Sequence, residues 1–268
     1  MRVSTRDRLE YLDRIKPYNE VIQLLLNHEA DLLSEIKEDS IMSGHLRLAL
    51  VEDMITLSTH YILLSNVSLA MIKQRNENAL NDARKSYIRA IIYMEELVSP
   101  MVDVPYSEYE GKLAEIADVN AIRRYLIARK LGLTLELLQN ACGINTKWKW
   151  AFVELEGRYA AVAKNILDLK NASANRDPRS PDYEPSILHL RLIKKLLNKT
   201  ASRYRDRFEL STKNPDDLKE ALRFLGSLRR IHIVLSEPKE ADAIKKKFDS
   251  MSLKLDAVVR KKKEESKT

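Results

Sequence analysis

Five histidines, one cysteine and scattered carboxylates are the side chains with which this 268-residue sequence could run catalysis or hold a metal. A zinc site of the HExxH kind needs two imidazoles one helical turn apart, with a glutamate between them as base. A di-iron helix needs a glutamate three residues before a histidine, so that both reach one metal. None of His28, His45, His60, His189 and His232 has a histidine four residues on or a glutamate three residues before it. Six glycines leave little for phosphate cradles, and neither GxGxxG, a P-loop nor GxSxG occurs. The single cysteine, Cys142, excludes an intramolecular disulfide and any multi-cysteine metal site. Set between Ala141 and Gly143, it reads as a small buried hydrophobe. His232 among Leu228, Ile231 and Leu235, and His60 beside Tyr61, read as hydrogen-bonded structural residues. The expectation is a non-enzymatic protein with no catalytic residue, metal or cofactor.

Charge is the second source of chemistry. The net +7 is uneven: from residue 186 to 268 there are 22 Lys and Arg against 12 Asp and Glu, so this third alone carries +10. Residues 1–185 then carry −3, from 24 cations and 27 acids. Such asymmetry points to an acidic partner, whether nucleic acid, anionic membrane or protein.

The sharpest local pattern is Gly132-Leu-Thr-Leu-Glu-Leu-Leu138-Gln-Asn-Ala-Cys-Gly143-Ile144-Asn145. It resembles the first helix and turn of the repressor-type helix-turn-helix family, with Gly132, Leu138, Gly143 and Ile144 in the family's places and Asn145 as a cap. That resemblance implies DNA binding through residues 132–149, with Thr146, Lys147 and Lys149 facing the major groove. Nine Lys and Arg against four acids over residues 120–170 suit phosphate contacts. The pattern departs from the family at Lys149, where an aliphatic residue is usual. A second resemblance, the A-x3-Y-x2-A spacing of Ala83, Tyr87 and Ala90, is to the second helix of a tetratricopeptide repeat. No copy recurs 34 residues on, and small residues placed for close helix packing give the same spacing.

The elements that must position these residues are helices. Composition is 44% hydrophobic and 32% charged, with few glycines and no period-2 β-branched runs. The fold class is all-α: a multi-helix bundle or helical-hairpin array with a basic C-terminal three-helix unit. A first helix is expected from Ser4 to Lys37, with Pro17 able to kink it, then a turn at residues 39–44. The next, residues 45–75, is apolar round most of its circumference (Leu50, Met54, Leu57, Tyr61, Leu64) and should be the central core helix. Leu80 to Leu97 continues the pattern. Shorter helices are expected at residues 107–117, 120–131 and 135–142, and a long one at 146–170 bearing Trp148, Phe152, Leu155 and Tyr159.

Pro178, Pro181 and Pro185 mark residues 171–185 as a linker without helix. It would divide an N-terminal domain, residues 1–170, from a basic C-terminal unit, residues 186–268. In that unit Asn214 and Pro215 open a helix rich in leucine. The last helix carries a heptad seam of Ala241, Ile244, Phe248, Met251, Leu255 and Val258, flanked by Lys245, Lys247 and Lys254. Lysines beside a seam select an acidic partner helix. Packing of the seam on the two preceding helices is the other reading. The functional expectation is therefore a helical interaction or scaffold protein that binds a partner protein through Ile244, Phe248, Met251 and Leu255 with their lysines. Nucleic-acid binding through residues 132–149 or the basic third is the alternative class, and an all-helical enzyme with scattered carboxylates is a third. The N-terminus is charged from Arg2 and no stretch has about 18 consecutive apolar residues, so a cytoplasmic protein without a transmembrane segment is expected.

Overall fold

The computed structural model describes residues 4–38, 42–143 and 148–265. Among these there are ten α-helices and no strand: α1 (Thr5–Glu38), α2 (Ser43–Ile72), α3 (Glu77–Leu97), α4 (Glu110–Ala114), α5 (Ala121–Cys142), α6 (Ala151–Asn165), α7 (Leu169–Ala174), α8 (Tyr183–Arg207), α9 (Pro215–Val234) and α10 (Pro238–Glu265). The chain is an all-α helical bundle. Its contacts form two compact units, one of residues 1–98, 111–118 and 126–149, the other of residues 99–110, 119–125 and 150–268.

In the first unit α1 and α2 run antiparallel, with Tyr18 edge-on to His60 at 6.3 Å and His28 Nδ1 2.7 Å from Asp53 Oδ2. Ser4 caps α1 by accepting from Asp7 N, and the helix continues through Pro17. α2 is the core helix expected of it: Leu50, Val51, Met54 and Leu57 are wholly buried. Ala83, Tyr87 and Ala90 on α3 are also wholly buried, and Ser58 Oγ donates to Ala83 O at 2.9 Å. Small residues there serve close packing between α2 and α3. α2 is the one described helix long and apolar enough to cross a membrane by length and composition, a test that core helices also meet. A buried ionic knot lies beside this packing. Glu29 accepts from Arg89 and, at 2.7 Å, from the Tyr93 hydroxyl, whose pKa is raised by burial and by that carboxylate.

In the second unit Val153, Ala160 and Ala161 of α6 share a core with Leu190, Ile193 and Leu197 of α8 and with Phe224, Leu225 and Leu228 of α9. Helices on both sides of the proline-rich stretch thus bury one another. Gly157 lets α8 come close, because a Cβ there would lie 2.6 Å from Tyr204 Oη.

Several helix boundaries differ from expectation. Residues 121–142 form the single helix α5, because Leu131, Leu135 and Leu138 are buried on one side and carry the helix through Gly132. The roughly 1 kcal/mol cost of an interior glycine is small beside that burial. The long helix expected at residues 146–170 is instead α6 and α7. Asp168 accepts from Asn171 N at 2.9 Å and starts a new helix. After Pro105 only a 3-10 turn (Tyr106–Glu108) and the short α4 form. Within residues 171–185 only 175–182 lack helix, because α8 begins at Tyr183. Pro185 falls in its first turn, where a missing N–H costs nothing. The expected turn at 39–44 has residues 39–41 outside the described residues, and Ser43 and Gly44 already belong to α2.

Candidate functional site

α8, α9 and α10 form the basic three-helix unit, and local chemistry fixes both of its turns. α8 ends in a π-turn (Phe208–Thr212) and Lys213 in the left-handed region, φ 51°. Asn214 then accepts from Asp216 N at 3.2 Å with Pro215 at the first helical position. Asp217, almost wholly buried, clamps this turn by accepting from Arg207 and Thr212. At the next turn Ser236 is left-handed, φ 56°, and Glu237 gathers Lys194 Nζ at 2.7 Å and His232 Nδ1 at 2.6 Å. Burial alone would raise the Glu237 carboxyl, yet these donors hold it below the usual range.

The seam of α10 faces inward. Ala241 and Ile244 are buried, Phe248 and Met251 pack half-buried on the core of the second unit, and Leu255 is half-buried. Its lysines stay outside. Lys247 Nζ donates to Asn198 Oδ1 of α8 at 3.2 Å. Lys254 Nζ lies 2.5 Å from Glu209 Oε1 and 5.7 Å from the Phe208 ring, and its hydrogen bond lowers the Glu209 carboxyl pKa. Two grooves follow the sides of α10. The one towards α8, about 500 Å³, is lined by Arg205, Lys246, Lys247 and Lys254, with Glu209 as its acid. The one towards α9, about 400 Å³, is lined by Lys219, Arg223, Arg229, Arg230 and Lys245, with Asp103 as its acid. Of these cations only Lys245, Lys247 and Lys254 flank the heptad seam expected from the sequence. Lys219, Arg223 and Arg230 recur on one face of α9, with helical spacing among its leucines as their only local pattern.

Asp103 comes from residues 99–105, a loop pinned from below by α6. Lys164 Nζ donates to Val102 O at 3.0 Å and Val104 O at 3.4 Å, while Asn165 Nδ2 donates to Ser99 O at 2.7 Å and Met101 O at 3.0 Å. Burial brings the Lys164 pKa down to about 8. Nearby, Arg124 donates to Val119 O and Ile166 O, and wholly buried His189 donates from Nε2 to Ala163 O at 2.9 Å. Burial lowers the His189 pKa to about 4. Perturbed groups of this kind often mark active sites. Here Lys164 and Asn165 donate to four carbonyls of residues 99–105 and so brace the loop.

Of the helix-turn-helix pattern the described residues hold the first helix and the glycine that follows it. Gly132-Leu133-Thr134 lies in the middle of α5, with no turn before it. Gly143, φ 88°, ends α5. Ile144, Asn145, Thr146 and Lys147 lie outside the described residues, and Lys149 is exposed ahead of α6. From Phe152 to Asn165 every residue of α6 but Glu154 and Arg158 is buried, so the helix serves first as core. Cys142 is buried, and burial raises its thiol pKa. Among the described residues no three His, Cys, Asp or Glu side chains gather as a metal-ligand group.

A family model described as the TP0443 family matches residues 7–258, and the chain belongs to that family. No curated protein and no solved structure matches the chain.

Proposed function

We propose that the protein is a non-enzymatic binding protein whose C-terminal three-helix unit holds the phosphate backbone of a nucleic acid. One observation carries this reading: α10 turns its apolar seam into the core and leaves cations lining a groove on each side. A protein partner would need apolar anchors at the centre of the interface. On α10 the best of these, Ile244, Phe248 and Met251, are already engaged within the chain. A polynucleotide needs rows of cations, and its binding weakens steeply with salt.

The test is fluorescence anisotropy with a labelled mixed-sequence single-stranded RNA and a labelled DNA duplex, at roughly 50 and 200 mM salt. Wild type should bind at low salt, and the double variant K246E/K247E should bind more weakly with a shallower salt slope. Absence of binding to either probe at low salt refutes the reading. Equal affinity of the variant moves the site away from α10.

A protein partner is a second reading, and α5 favours it. Leu126, Leu133 and Leu137 are 42%, 49% and 47% exposed and fall within a sector about 40° wide. Such a stripe suits a partner's amphipathic helix. Folded L133K and L137K variants should lose proteins that co-purify with the native chain, and unchanged retention would refute it.

A further inference from the structure

The groove between α9 and α10 has the size of a small-ligand site, about 400 Å³. Its charge is one-sided. Lys219, Arg223 and Arg230 fall within a sector about 40° wide on α9. Gly226 lies in the same row, so the helix offers bare backbone at the middle of the cations. A Cβ there would stand 3.8 Å from Asp103 Oδ1 and 3.8 Å from Phe248 Cε2, so the acid and the ring border one gap. Lys245 enters from α10, and Arg229 brings a buried Nε with no hydrogen-bond partner.

The ties on these cations are exchangeable. Lys219 pairs with the exposed Asp216 at 2.7 Å and Arg223 with the half-buried Glu220 at 2.6 Å, each one turn away. Arg230 pairs with Asp103. That carboxylate does not arrive by chance, because the Lys164 ammonium holds the carbonyls of Val102 and Val104 on either side of it. The chain thus places an anion of its own in a groove built from cations. Three of the five cations are guanidiniums, whose planar forks match the several oxygens of a phosphate better than a single carboxylate does.

We propose that the α9/α10 groove is a phosphate-binding site in which Asp103 is the built-in competitor. It rests on the nucleic-acid reading above only for the source of the phosphate, since a free phosphorylated small molecule presents the same chemistry. Ligand entry displaces Asp103 from Arg230 and exchanges the Asp216 and Glu220 carboxylates for phosphate oxygens. Removing the competitor therefore strengthens binding, and removing the exposed cations weakens it.

The experiment titrates inorganic pyrophosphate into wild type, D103N and K219A/R223A by calorimetry, with thermal melts to confirm that each is folded. The same proteins are then tested for pyrophosphate competition against the labelled RNA. Wild type should bind pyrophosphate, K219A/R223A should bind it at least about tenfold more weakly, and D103N up to about fivefold more tightly. Displacement of RNA by pyrophosphate identifies a polynucleotide as the source. Pyrophosphate binding that leaves RNA in place, or occurs without any RNA binding, supports the site with a free phosphorylated compound as its ligand. No pyrophosphate binding, or native affinity in K219A/R223A, overturns the site, even if RNA still binds through Lys246 and Lys247. Weaker or unchanged binding by D103N overturns the role of Asp103.

Discussion

Replacing Lys164 by methionine should flatten the dependence of stability on pH above neutrality. In the folded chain the ammonium is buried beneath residues 99–105, with a pKa of about 8 against an ordinary 10.5. Between these values the unfolded chain keeps its proton while the folded chain releases it. More protons on the unfolded side mean that stability rises with pH across this window. The displacement is worth about 3 kcal/mol in full, of which about 2 kcal/mol should be gained between pH 8 and 10. Above pH 10 Tyr109 and Tyr159 act oppositely, because burial raises both phenols and the unfolded chain then loses protons first. Urea unfolding followed by circular dichroism at pH 7, 8, 9 and 10, on wild type and K164M, isolates the lysine because every other group is common to both. Wild type should gain stability over the variant in that interval. Parallel profiles would refute burial as the state of the ammonium.

Acid should weaken the fold through His189. It is buried neutral with a pKa of about 4, so stability falls as pH drops from 6.5 towards 4, and H189Q should show a smaller loss in the same urea series. Gly157→Ala should lower the melting temperature. The roughly 1 kcal/mol that alanine gives a helix is outweighed by overpacking of 1–3 kcal/mol against Tyr204, stacked on Phe224 at 5.7 Å. A higher melting temperature would show that the ring yields freely. Glu29→Ala strands Arg89 and the Tyr93 hydroxyl and should cost about 2–4 kcal/mol in chemical denaturation. A cost near zero would mean that water replaces the carboxylate.

How far these features could be read in advance depended on how local they are. The heptad of α10 and the apolar wrap of α2 are periodic within one helix, so both were legible. Whether a seam faces a partner or its own core is decided elsewhere in the chain, by Leu225 and Leu228 of α9 in this case. The helix-turn-helix pattern shows the same limit: Gly143 ends α5 where the local template has a turn, yet Gly132 lies inside the helix because Leu131 and Leu138 are buried. Lys164 was invisible as a brace because the carbonyls it holds lie about 60 residues earlier in sequence. The cations of α9 were in plain view at helical spacing, but only a neighbouring α10 makes that row one wall of a groove.

The hold of Lys164 on two carbonyls has a consequence for how this chain can change. Surface loops commonly accept inserted or deleted residues. In residues 99–105 the ammonium instead measures the chain like a ruler, with one mark at Val102, one at Val104, and a single side chain between them aimed at Arg230. Adding or removing one residue would put a different side chain at that mark while leaving the helices intact. This segment should therefore vary in residue type far more readily than in length.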